Sequence, residues 1–139
     1  MTPRLVVDAS VSGAWCFPEE ATRFTEAVLE EVGRSGGVVP TLWLFEMANL
    51  LATAERRRRI ASERVEIIQV ALADLPLELD QARSLRSLPT LTRLAIEHGL
   101  TAYDATYLEL ARRTGSRLAT LDSALRDAAT RAGVPHFSI

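Results

Sequence analysis

The chain has no lysine. All 16 of its basic residues are arginine, set against 18 acidic ones for a formal net charge of −2 over 139 residues. A Walker-A loop places a lysine on the β- and γ-phosphates, and no G-x-x-x-x-G-K-[ST] run is present, which excludes a P-loop nucleotidase. Response-regulator receivers and haloacid-dehalogenase-type phosphatases also set a lysine beside their acidic pockets, and are disfavoured on the same ground. A near-neutral chain lacks the positive excess of a protein that coats DNA, so any nucleic-acid contact must be local.

Sulfur and imidazole are equally scarce. The single cysteine, Cys16, excludes an internal disulfide framework, and with only His98 and His136 beside it no Cys/His zinc constellation can form. A reducing compartment is implied. MTPRLVVDAS runs straight into a short apolar segment without the pattern of a cleaved leader, and no stretch of 18 apolar residues occurs. The expectation is a cytoplasmic protein with no membrane association. What the chain does have, 47% hydrophobic and 24% charged residues, suits one globular domain over 1–139.

Short β-branched runs alternate with helical periodicities. Leu5-Val6-Val7, Val38-Val39-Pro40, Leu77-Glu78-Leu79, Arg117-Leu118-Ala119-Thr120 and Pro135-His136-Phe137 are strand candidates. Between them, a helix opens at Pro18-Glu19-Glu20 and stops at Gly33, and the most apolar one runs from Leu42 to about Arg58. Others cover Ser62–Asp74, a segment from Pro89 to His98-Gly99, Thr101 to Thr114-Gly115, and Ser123–Ala132. This alternation predicts an α/β fold with a parallel sheet and helices on both faces.

In such sheets function gathers outside the carboxyl ends of the strands. Asp8 and Asp122 follow strands and precede helices, so each alone reads as a cap. Glu46 lies in an apolar helix, where Glu46, Asn49 and Thr53 share an arc of roughly 60°; an ionised carboxylate there is costly unless paired or metal-bound. Asp104 completes a [ST]-x-x-[DE] box with Thr101, yet it shares a side with Tyr107, Leu108 and Ala111 and so points inward. Clustered carboxylates repel one another unless a cation holds them ionised. Oxygen-only ligands favour a hard divalent ion, Mg²⁺ or Mn²⁺, and hence phosphodiester chemistry.

Over nearly its whole length the chain resembles the VapC-type toxins of the PIN-domain ribonucleases. The carriers are Asp8-Ala9-Ser10-Val11 with Trp15 and Pro18-Glu19-Glu20, then Glu46-Met47-Ala48-Asn49, then Gly99-Leu100-Thr101-Ala102-Tyr103-Asp104-Ala105 with Tyr107. The last is Leu118-Ala119-Thr120-Leu121-Asp122 with Leu125 and Ala128-Ala129. One departure is Ala14, where related chains often carry a lysine before the tryptophan. The resemblance implies a PIN-like three-layer sandwich with a five-stranded parallel sheet in the order 3-2-1-4-5. It implies an acidic quartet, Asp8, Glu46, Asp104 and Asp122, around Mg²⁺ or Mn²⁺, one ion or two, with Asp8 and Asp104 as main ligands. Ser10, Thr120 and Asn49 would brace it.

The function implied is a metal-dependent endoribonuclease acting as the toxin of a type II toxin–antitoxin pair. Its partners would be RNA, a VapB-type antitoxin and a second copy of the chain, with DNA reached only through the antitoxin. A housekeeping RNA-processing PIN nuclease and a non-catalytic PIN-like interaction domain remain alternatives. Arg56-Arg57-Arg58-Arg59 either meets RNA phosphates or merely stabilises a helix C-terminus. Trp15, Phe17, Trp43 and Phe45 are expected in the core or in a partner groove, the two histidines are expected to be structural, and Cys16 reads as a small buried hydrophobe.

Overall fold

Four strands pair in parallel in the order β3-β2-β1-β4 in the computed structural model, which describes residues 4–139. Met1, Thr2 and Pro3, the first residues of the expected 1–139 domain, lie outside the described residues. The strands are β1 (Leu5–Val7), β2 (Gly37–Pro40), β3 (Leu77–Asp80) and β4 (Arg117–Ala119). The register sets Val6 beside Val38 and Leu118, and Val7 beside Ala119. Every residue of β1 and β2 is buried, as a parallel sheet covered on both faces requires. Gly37 is demanded by packing: a Cβ there would come within 2.8 Å of the Leu77 side chain and 3.1 Å of the Leu5 carbonyl oxygen.

The expected fifth strand is reduced to a single parallel bridge between Leu118 and His136. Leu118 N donates to Pro135 O and Phe137 N to Leu118 O, but Pro135 has no N–H with which to extend the ladder. The sheet among the described residues is therefore four-stranded.

The helices are α1 (Ala9–Ala14), α2 (Arg23–Ser35), α3 (Thr41–Arg56), α4 (Ser62–Ala73), α5 (Leu88–His98), α6 (Ala102–Thr114) and α7 (Ser123–Arg131). Most begin and end within two residues of the sequence reading. α2 differs: Pro18–Glu20 forms a separate 3₁₀ turn, and the helix starts only after Thr22, whose hydroxyl accepts from Thr25 N in a reciprocal capping box. It also passes through Gly33 and stops at Gly36, at φ 77°. The positive φ of Gly36 with an extended ψ of 171°, a conformation open to glycine alone, ends it.

Helix α6 is the spine of the molecule, with Ala105, Tyr107, Leu108, Leu110 and Ala111 in the core beneath the sheet. Its Glu109 is buried too. Arg83 and Arg113 both donate to its carboxylate, and Arg113 continues to Asp80 at the end of β3. Burial raises the Glu109 carboxyl, and the two guanidiniums outweigh that and hold it below its ordinary value.

Candidate active site

The carboxyl end of β1 delivers Asp8, which is 5% exposed. It occupies the N-cap position of α1, but its side chain makes no cap bond. Its Oδ2 instead accepts from Ser10 Oγ at 2.8 Å and from Thr120 Oγ1 at 2.7 Å. The same two hydroxyls accept from backbone groups of the following loop, Ser10 from Leu121 N and Thr120 from Asp122 N. Asp8 is thus fixed by a network that joins β1–α1 to β4–α7, and its Oδ1 has no hydrogen-bond partner among the described residues.

Helix α3 brings in Glu46. Trp43 Nε1 donates to Ser12 Oγ at 2.8 Å, which anchors α3 on α1 through a buried contact. Glu46, on the next turn, accepts a 2.5 Å hydrogen bond from the Tyr107 hydroxyl of α6. Burial raises the Glu46 carboxyl above its ordinary value, the Tyr107 bond opposes this, and the charges of Asp8 and Asp104 add to it. Tyr107 is itself raised, first by burial and then by the carboxylate it donates to.

Asp104 sits in the first turn of α6, where its N–H donates to the Thr101 hydroxyl at the N-cap. Only that half of the box forms. Its carboxyl is raised by burial first, then by the charges of Asp122 and Asp8. Asp122 does cap α7, its Oδ1 accepting from Ala124 N and Leu125 N. The local reading of Asp122 therefore holds, without removing that side chain from the group.

Thus Asp8, Glu46, Asp104 and Asp122, from four separate parts of the chain, act on one another electrostatically. None of the four has an ion-pair partner among the described residues, whereas Glu19, Glu20, Glu31, Glu78, Asp80 and Glu109 each have an arginine. No group of three or more His, Cys, Asp or Glu side chains among the described residues is close enough to share one ion. The donor set fits a hard dication of the Mg²⁺ type in a different way, since such an ion takes one or two carboxylates and completes its shell with water and phosphate oxygens.

Ser10 and Thr120 brace Asp8, but Asn49 braces no acid. Its side chain has no hydrogen-bond partner among the described residues and lines an open cavity of roughly 440 Å³ together with Ser10, Thr53, Arg57 and Arg59. Of the aromatics expected in the core or in a partner groove, Phe17 and Trp43 are in the core, whereas Phe45 is 64% exposed. The unforeseen participants are Tyr107 and Ser12. Tyr107 lies one helical turn beyond Asp104, and that spacing was the available signal; the Ser12 contacts had none.

A family model described as "PIN domain" matches residues 5–130. Ribonuclease VapC3 of Pyrobaculum aerophilum is 31% identical over 124 residues, 89% of this chain and 93% of that protein. The crystal structure of PAE2754 from Pyrobaculum aerophilum aligns with a TM-score of 0.64 at 24% identity, covering 92% of this chain and 87% of that one. The last likeness is one of fold.

Proposed function

The chain belongs to the PIN-domain family, as a VapC-type member, and from that premise we propose that it is the toxin of a type II toxin–antitoxin pair, an endoribonuclease dependent on Mg²⁺ or Mn²⁺. The observation that carries the reading is a group of four carboxylates, coupled by repulsion through Asp8 and Asp104, that no arginine neutralises, whereas the buried acids elsewhere, Glu31 and Glu109, each have two arginines. Such a group is poorly suited to stabilise a fold and well suited to hold a dication beside a phosphodiester.

Asp8 and Asp104 are the main ligands in this reading, with Glu46 and Asp122 acting on a second ion or through water. A bound dication would supply Lewis acidity at a phosphate oxygen and a lowered pKa for water, so neither histidine is required as a base. The chain's own work is orientation. Ser10 and Thr120 fix one oxygen of Asp8 and leave the other for coordination, and Tyr107 fixes Glu46. Hydrolysis would leave a 5′-phosphate and a 3′-hydroxyl.

A macromolecular substrate is supported by the surroundings of the acids. Phe45, Tyr103 and Leu121 immediately precede Glu46, Asp104 and Asp122 and are exposed, an apolar rim suited to nucleobases. A VapB-type antitoxin fits the same unpaired charge, since a basic side chain inserted among the carboxylates would silence them. Homodimerisation and a cytoplasmic location are part of the proposal; among the described residues, no helix is long and apolar enough to cross a membrane.

The test is sequencing of RNA 5′-monophosphate ends after induced expression. New ends that vanish with Asp8→Asn are expected, together with growth arrest. Cleavage without arrest would instead indicate an RNA-processing nuclease, and no new ends at all would overturn the reading.

A further inference from the structure

We propose that Arg57, at the far end of the cavity that opens beside Ser10, is a binding residue for a backbone phosphate of the RNA a few nucleotides from the cleaved bond. This inference rests on the nuclease reading. Glu46, Asn49, Thr53 and Arg57 recur at intervals of three or four along α3 and its C-cap, so they lie on one side within an arc of roughly 80°. The cavity is lined along that side by Asn49, Thr53 and Arg57 and reaches Ser10, whose hydroxyl is bonded to Asp8. From Asn49 to Arg57 the axis advances about 12 Å, a distance that a stacked strand rising about 3.4 Å per nucleotide covers in three to four nucleotides.

The four arginines at the end of α3 divide by their surroundings. Arg58 is the one non-glycine residue at positive φ among those described, at 57°, and Arg59 N then donates back to Ala54 O. The chain reverses there and carries Arg59 over the Phe17 ring, 3.5 Å from its centroid. Arg59 is also bonded to Glu19 at 2.8 Å and to Glu20 at 2.5 Å, so its charge is already met. The Arg57 guanidinium has no hydrogen-bond or ion-pair partner among the described residues, and the side chain lines the same cavity and is exposed.

Arg59, Phe17 and Glu20 therefore form the cavity wall, while Arg57 is the uncommitted cation in it. Asn49 and Thr53 offer neutral donors and acceptors between Arg57 and the carboxylates, suited to ribose hydroxyls and bridging oxygens. A helix C-terminus presents carbonyls rather than N–H groups, so anion affinity at this end must come from the side chain. An arginine fork matches a phosphate in two bonds.

The probe is a fluorescein-labelled single-stranded RNA of mixed sequence, titrated in an Asp8→Asn background so that it stays intact. Arg57→Ala is expected to weaken binding about tenfold and to lower the salt slope by about 0.7, the share of one single-strand phosphate. Arg57→Lys should recover part of the affinity. In the cleaving protein, acting on total cellular RNA, Arg57→Ala should raise KM and leave kcat near its original value. Arg56→Ala, one position off the cavity-lining side, should change neither. Thermal melts establish that each variant is folded; should Arg57→Ala not fold, Arg57→Lys and Arg57→Gln carry the same comparison. Equal losses in Arg56→Ala and Arg57→Ala would overturn the site in favour of diffuse charge. Unchanged RNA binding in Arg57→Ala, with or without weaker binding of a protein partner, would overturn it as well. If the unmodified protein cleaves RNA while Arg57→Ala behaves like it, only this inference falls; if it cleaves nothing, the nuclease reading falls first.

Discussion

The Tyr107 hydroxyl donates a 2.5 Å hydrogen bond to Glu46 Oε1 across 61 positions of the chain. Tyr107 is fully buried, so its ring has one orientation and the bond fixes where the α3 carboxylate sits relative to α6. Tyr107→Phe should keep the fold and cost about 1.5–3 kcal/mol in urea unfolding, the range of a hydrogen bond to a charged acceptor. RNA cleavage should fall about tenfold in kcat with KM nearly unchanged. A variant as active as the parent would show that Glu46 needs no fixed orientation.

Asp8 and Asp104 differ from ordinary caps in that neither side chain bonds the N–H groups of its own helix. Replacing either by asparagine keeps size and removes charge. Each variant should lose at least 100-fold in RNA cleavage while melting cooperatively. Excess EDTA should abolish activity and Mg²⁺ or Mn²⁺ restore it, and calorimetric titration of either ion into Asp104→Asn should show weakened binding. Divalent-independent cleavage would remove the metal from the proposal.

The pH dependence follows from the sign of two shifts. Burial first, and neighbouring carboxylates after it, raise Asp104 and Glu46 above their unfolded values. The folded state then binds more protons than the unfolded one, so these groups lower stability as pH rises from about 4 through their folded pKa values. In EDTA at pH 7, Asp104→Asn should therefore melt higher than the parent, with the difference closing below about pH 4. Divalent ions should raise the parent more than the variant. Identical melting curves in EDTA across this range would contradict the raised carboxyls.

Arg83 donates to both Glu109 Oε2 and the Thr106 carbonyl, at 2.8 Å each. Arg83→Met preserves much of the stem and leaves the buried Glu109 with Arg113 alone. The expected cost is about 3 kcal/mol, as for breaking a buried ion pair. Glu109 is held below its ordinary value, so the stability it contributes is present above about pH 4 and fades as pH falls through its folded pKa. The mutational cost should fade with it. Urea midpoints at pH 7 and pH 3 measure both.

The elements that the sequence announced were those whose signals are local. α5 and α6 begin and end close to their expected bounds because a start signal, Pro89 in the one and the Thr101 cap in the other, and a left-handed glycine, Gly99 or Gly115, lie within one segment. The inward placement of Asp104 was legible from the positions of Tyr107 and Leu108 on the same helix. Locality also explains the failures. The Pro18 turn looked like a helix start because proline and two acids are good first-turn residues, but the reciprocal box at Thr22 and Thr25 is the stronger cap.

The sequence by itself determined the alternation of strands and helices, the absence of a Cys/His constellation, and the four acids that the PIN-like pattern marks. Only the tertiary structure decided which of those acids is braced and by what: Asp8 by Thr120 across 112 positions and Glu46 by Tyr107 across 61, with no bond from Asn49 to any of them among the described residues. It also decided that Pro135–Phe137 contributes one bridge rather than a strand, that Phe45 faces outward and that Glu109 faces inward. The reason is physical. Backbone propensity and capping act within a few residues, whereas a hydrogen bond between distant residues, or the burial of a side chain, depends on which surfaces meet after the sheet has closed.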